Sequence, residues 1–214
     1  MATYAAPLAL CIVFLGILLV AAYRDSERGM WASKPVASLA FIWASLLAGA
    51  AGSSYGRWIL AGLVLGMAGD LLLIPRGNKR VFRVGILAFL SGHIAYCVAF
   101  LGQPLSAAGL LVGGAALGLF CLLVLKWLSR SLTSEMRWPV RIYMIVIAVM
   151  TTLACGVTAA GGPLIITVAA IAFTVSDVFV ARHRFVTPDF ANRALGLPLY
   201  YAAQMMLAVS PALI

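Results

Sequence analysis

Apolar residues run along this chain in eight long blocks, at about 5–23, 35–51, 57–75, 84–101, 105–125, 142–160, 163–181 and 194–212. Each approaches the roughly 20 residues that an α-helix needs to cross a hydrocarbon layer about 30 Å thick. The stretches between them are short and carry turn residues, as in Gly102-Gln103-Pro104 and Gly161-Gly162-Pro163. The pattern predicts an all-α, polytopic integral membrane bundle of eight transmembrane helices. It forms a single membrane domain over residues 1–214, with no room for a soluble catalytic domain. The first block is expected to be retained rather than cleaved as a signal, because no Lys or Arg precedes Arg24 and the block has full spanning length.

Charge then orients the bundle. Of the fifteen Lys and Arg residues, fourteen fall in the four stretches 24–34, 76–83, 126–141 and 182–193, and only Arg57 lies at the other end. With eight spans those four stretches share one side, which the positive-inside rule makes cytoplasmic. Both termini are then expected on the non-cytoplasmic side, in a multi-pass protein of a bacterial inner membrane. Composition agrees, with 64% hydrophobic and 10% charged residues, far from an ordinary soluble domain. The net charge of +9 would suggest nucleic acid in a soluble chain. Here topology accounts for it, and no nucleic-acid partner is expected. Cys11, Cys97, Cys121 and Cys155 lie in four separate apolar blocks without metal spacing, and read as small core residues.

Four of the six acidic residues, Asp25, Glu27, Glu135 and Asp189, sit in loops, whereas Asp70 and Asp177 lie inside apolar blocks. On insertion scales an intramembrane Asp costs roughly 2.5–3.5 kcal/mol at a helix centre, which points to a partner, a cavity or a function. Both stand roughly 8–9 Å inside the basic boundary. Each is on the third helix of a four-helix half, and each follows a small residue, Gly69 or Ser176. This matched placement suggests a parallel four-plus-four repeat, with halves of about 1–104 and 105–214. Gly62, Gly66 and Asp70 form one helical stripe, and Thr167, Ala170, Thr174 and Asp177 another, so both carboxylates are expected to face inward. Other polar groups reach a similar depth. They are His93 and Tyr96 on the fourth block, and Tyr200, Tyr201 and Gln204 on the eighth. His183, between Arg182 and Arg184, reads as a solvated loop residue.

Gly69-Asp70, then Gly85-Ile86-Leu87-Ala88-Phe89 and His93-Ile94-Ala95-Tyr96, resemble the YhhN family of membrane proteins. So do Ser176-Asp177, Phe185 and Tyr200-Tyr201-Ala202-Ala203-Gln204. The specific motifs occupy about residues 66–100 and 173–207, while the span count extends the likeness to the whole chain. The resemblance implies an eight-span lysoplasmalogenase that needs no organic cofactor and no metal. It would hydrolyse the vinyl-ether bond of a lysophospholipid drawn from membrane lipids, releasing a fatty aldehyde. The resemblance also implies that the family's catalytic aspartates are Asp70 and Asp177, with His93 as orienter or proton shuttle. Tyr96, Tyr200, Tyr201 and Gln204 would then position substrate or water.

The chemistry suits these residue types. A vinyl ether hydrolyses by protonation of its β-carbon, and water captures the resulting oxocarbenium ion. That sequence asks for one protonated carboxyl and one carboxylate. Which aspartate is the acid stays open at this point, and the two could share a proton. Arginines at the rim, Arg76, Arg182 and Arg184, are candidates to hold phosphate, although topology explains them equally well. The main competing class is a proton-coupled transporter of a lipid-like small molecule. Pro75, Pro139 and Pro163 are expected at span ends, with only Pro198 inside a span, so no broken helix speaks for transport. A Schiff-base receptor would need a buried lysine, and Lys34, Lys79 and Lys126 are all expected at span edges. An intramembrane zinc hydrolase would have to use both aspartates with His93.

Overall fold

The computed structural model describes residues 2–75 and 77–214, so the expectation placed on Arg76 lies outside the described residues. Eight α-helices follow in order: α1 (Ala5–Tyr23), α2 (Glu27–Leu47), α3 (Ser54–Leu72), α4 (Lys79–Leu101), α5 (Ala107–Leu128), α6 (Ser134–Ala159), α7 (Leu164–Phe185) and α8 (Phe190–Val209). Six of them, α1, α2, α4, α5, α6 and α7, are long and apolar enough to cross a membrane. The other two have comparable lengths of 19 and 20 residues. Their apolar character is diluted by Gly56, Gly62, Gly66, Gly69 and Asp70 in α3, and by Asn192, Arg193, Tyr200, Tyr201 and Gln204 in α8. Of these two less lipid-like helices, α8 carries Tyr200, Tyr201 and Gln204 and α3 carries Asp70.

Successive helices double back as four hairpins, α1–α2, α3–α4, α5–α6 and α7–α8, while α8 also lies against α1 and α2, and α4 against α6. Short polar caps set the turns. Ser26, Ser53 and Ser106 accept the backbone N–H of Gly29, Gly56 and Gly109, and Asp189 accepts that of Asn192 at 3.0 Å. Gly49 and Gly161 stand just beyond α2 and α6 at φ of 75° and 100°, a left-handed conformation that favours glycine. Apolar side chains such as Leu111, Val112, Leu119 and Leu122 of α5 are exposed. In a polytopic protein they meet lipid rather than water.

Two helices begin about eight residues before their apolar blocks: α2 at Glu27 rather than 35, and α6 at Ser134 rather than 142. Hydropathy locates the hydrocarbon, whereas a cap such as Ser26 locates the helix start, and the two need not coincide. The extension places Lys34 inside α2 instead of at a span edge. Pro35, Pro139 and Pro198 lie within α2, α6 and α8, so Pro139 is not at a helix end as expected. None of these prolines divides its helix.

Candidate active site

Asp70, near the C-terminal end of α3, is 2% exposed and fully engaged. Its Oδ1 is 3.0 Å from the Lys34 ammonium, itself 12% exposed. Its Oδ2 accepts hydrogen bonds from Ser38 Oγ at 2.7 Å and from the Tyr200 hydroxyl at 2.8 Å. Lys34 Nζ also donates to the Asp70 carbonyl at 3.2 Å. A buried carboxylate is tolerable when paired and hydrogen-bonded, and this one is both.

A chain of buried groups stands behind this pair. Gln204 Nε2 donates to the Tyr200 hydroxyl at 3.1 Å, and the Tyr96 hydroxyl donates to Gln204 Oε1 at 2.7 Å. The Tyr201 hydroxyl is 3.3 Å from Ser38 Oγ. Tyr96, Tyr201 and Gln204 therefore support Asp70 and Tyr200 from the side away from the cavity described below. The glycine stripe on α3 makes this possible. A Cβ at Gly62 would collide with the Tyr96 ring, one at Gly66 with Gln204 Nε2, and one at Gly69 would lie 2.6 Å from Phe89. The small residues admit side chains from α4 and α8 to the level of the carboxylate.

Asp177 on α7 has different neighbours. Oδ2 accepts a hydrogen bond from the Tyr143 hydroxyl of α6 at 2.8 Å, and no cation pairs with it among the described residues. His93 Nε2, on α4, approaches the same oxygen to 3.7 Å, too far for a hydrogen bond. The other ring nitrogen, Nδ1, donates to the Phe89 carbonyl at 2.7 Å. Nε2 is the nitrogen that faces the Asp177 carboxyl. It is buried and without a partner. Phe173 links the two halves of the site. Its ring lies edge-on to His93 at 4.6 Å and to Tyr200 at 5.4 Å.

Asp70 and Asp177 line the same cavity, with a volume of about 900 Å³, together with Lys34, Tyr143 and Tyr200. Its walls include Phe82, Ile86, Val140, Met144 and Phe179, and its rim includes Asn78, Lys79, Arg184 and Arg193 of the basic end. Most of the remaining lining is apolar, and the mouth is charged. Arg182 does not line it. Its guanidinium is held by Asn192 Oδ1 at 2.6 Å and by Asp189 at 3.3 Å, in the connection from α7 to α8. Arg184 does line the cavity, lying 4.0 Å over the Phe82 ring. His183, instead of being free in solvent, accepts a bond from Arg193 Nε at 3.2 Å. Among the described residues no three His, Cys, Asp or Glu side chains converge as metal ligands.

Three participants escaped the sequence reading: Lys34, Ser38 and Tyr143. Spacing does carry a signal for them. Lys34, Ser38, Phe41 and Ser45 follow i, i+4, i+7 and i+11 along α2, and Tyr143, Ile147, Met150 and Ala154 repeat that spacing along α6. Six of these eight are buried, and Lys34 and Tyr143 end each stripe at the cavity.

The chain matches the YhhN family model over residues 29–211. It is 34% identical to human lysoplasmalogenase TMEM86A over 158 residues, which are 71% of this chain and 64% of that protein. To human lysoplasmalogenase TMEM86B it is 31% identical, over 82% of this chain and 71% of that one. To the lysoplasmalogenase of Mycobacterium bovis it is 29% identical, over 68% and 56%. The match thus spans slightly less than two thirds of the length of TMEM86A. No solved structure matches the chain. With the family model covering most of its length and the helices arranged as a multi-pass membrane bundle, this protein belongs to the YhhN family.

Proposed function

We propose that the protein is a membrane-embedded hydrolase that cleaves the vinyl-ether bond of lysoplasmalogens, with Asp177 as the proton donor. One observation carries this reading. An unpaired carboxyl, with a single hydroxyl donor and an open imidazole nitrogen beside it, shares an amphiphile-shaped cavity with an ion-paired carboxylate. The names of the relatives support the same substrate class.

The substrate's alkenyl chain lies along the apolar wall and its phosphate sits at the rim near Lys79 and Arg184. The Asp177 carboxyl protonates the β-carbon of the vinyl ether, leaving an oxocarbenium ion at the carbon attached to oxygen. Water adds to that carbon and returns a proton to the Asp177–His93 pair, with Nε2 the ready acceptor. The hemiacetal collapses, its hydroxyl proton passing to the departing glycerol oxygen, to give a fatty aldehyde and the glycerophospho-head group. Tyr143 holds the Asp177 carboxyl in place. Asp70 and Tyr200 keep a fixed negative and hydrogen-bonding surface opposite, in a site whose dipoles need no reorganisation. The basic end faces the cytoplasm of a bacterial inner membrane, in keeping with the distribution of Lys and Arg.

The test is incubation of pure protein with a lysoplasmalogen and with its saturated ether analogue. Release of aldehyde from the first alone is expected. No aldehyde from either would refute hydrolysis and turn attention to transport.

A further inference from the structure

The chain contains three lysines. Lys79 and Lys126 are exposed. Lys34 is not: its side chain is 12% exposed, lines the cavity, and lies 3.0 Å from Asp70 Oδ1. The sequence places Lys34 at a span edge, whereas α2 begins seven residues before it.

We infer that Lys34 is an aldehyde-capturing residue, forming a reversible imine with the long-chain fatty aldehyde inside the cavity. The inference rests on the proposed hydrolysis for the source of that aldehyde. Both aspartates line one cavity with Lys34, and the Lys34 nitrogen lies 3.0 Å from Asp70 Oδ1 there. A primary amine kept from bulk water in an apolar cavity is a recurrent nucleophile toward carbonyls.

The step balances within the residues present. Asp70 Oδ1 takes a proton from the Lys34 ammonium, and the freed amine attacks the carbonyl carbon. A C–N bond forms, and the carbonyl oxygen becomes a hydroxyl with the proton from Asp70. The carbinolamine loses that hydroxyl and one nitrogen-bound hydrogen as water, leaving a C=N bond. Water entering from the rim reverses the sequence and frees the aldehyde. No oxidant or reductant takes part.

The experiment uses the full chain in detergent with hexadecanal and cyanoborohydride, which reduces any imine to a stable secondary amine, followed by peptide mass spectrometry. Lys34 should gain the hexadecyl group faster than Lys126 by on the order of tenfold or more, the low end of what prior positioning gives. The preference should vanish with propanal, and hexadecanol, which fills the cavity without reacting, should suppress it. Lys34→Arg keeps a cation beside Asp70 and should lose the adduct. Equal labelling of Lys34 and Lys126, or none at Lys34, would overturn the inference. Vinyl-ether turnover in the same preparation separates the two readings. Turnover without a Lys34 adduct leaves hydrolysis standing alone, and an adduct without turnover leaves an aldehyde site and removes the hydrolase.

Discussion

Replacing each intramembrane aspartate by asparagine should produce two different proteins, although the side chains are chemically identical. Asp70→Asn leaves the Lys34 ammonium buried without its counter-ion. At 3.0 Å and an effective dielectric constant of about 20, the lost attraction is about 5.5 kcal/mol before desolvation is subtracted. Breaking a buried pair by removing one partner costs about 3–5 kcal/mol. For a chain of this size each kcal/mol moves Tm by about 2–4 °C, so a fall of about 6–20 °C is expected. Asp177→Asn breaks no ion pair. With its oxygen in the place of Oδ2 the amide still accepts the Tyr143 hydroxyl, and His93 Nε2 stays 3.7 Å from that same atom. With no ion pair or hydrogen bond lost, Tm should stay within about 2–4 °C of wild type. Vinyl-ether turnover should nevertheless fall at least about 100-fold, the low end for a positioned acid. Thermal unfolding followed by tryptophan fluorescence in one detergent, with aldehyde release measured on the same samples, decides the matter. Equal losses of Tm in the two variants, or near-wild-type turnover of a folded Asp177→Asn protein, would refute the assignment.

The remaining expectations follow from single contacts. Tyr143→Phe removes the hydroxyl donor to Asp177 while keeping the ring beside His93; a charge-assisted bond of about 1.5–3 kcal/mol corresponds to roughly 10–150-fold in turnover if all of it is lost at the transition state. Gly66→Ala drives a methyl group into Gln204 Nε2 and frees Tyr200 from its support; the strain should lower stability by about 1–3 kcal/mol, read as Tm, with turnover reduced as well. Arg184→Ala should raise KM for the lysophospholipid without a matching loss of kcat. Arg182→Ala should leave KM unchanged, because its guanidinium serves the α7–α8 connection.

Much of this architecture was legible in the sequence because a membrane makes polarity expensive. Long apolar blocks named the helices, and fourteen of fifteen basic residues at one end paired the loops. With only two acids left in apolar surroundings, Asp70 and Asp177 stood out by elimination. The Gly62–Gly66 stripe announced close packing, although not that Tyr96 and Gln204 would fill the space it opens. What escaped was the environment of each acid. Lys34 was hidden because its charge imitates a loop, when the helix around it is fixed by Ser26, eight residues earlier. Tyr143 was hidden because its role depends on α6 lying beside α7, a tertiary contact that periodicity alone does not specify.

That difference in environment also makes two aspartates with similar sequence settings chemically unequal. Asp70 lies two residues before the end of α3 and Asp177 eight before the end of α7, and a reading by sequence alone would let them share one proton. In the proposed mechanism the neighbours divide the labour instead. α2 lies against α3 and brings Lys34 and Ser38 to Asp70, so its charge is balanced and its lone pairs are occupied. α6 lies against both α4 and α7 and brings Tyr143 to Asp177, leaving His93 as the sole further group at its Oδ2 among the described residues. A carboxyl that gives up and regains a proton, as proposed for Asp177, is poorly served by an ammonium at 3.0 Å, the Lys34–Asp70 distance, which stabilises the ionised form. It is better served by a hydroxyl and an imidazole. The ion pair suits the opposite task, presenting a preset field while charge develops on the vinyl ether, before any aldehyde reaches Lys34. The proposed assignment of the acid to Asp177 and of the ion-paired carboxylate to Asp70 therefore rests on the cation that one possesses and the other lacks.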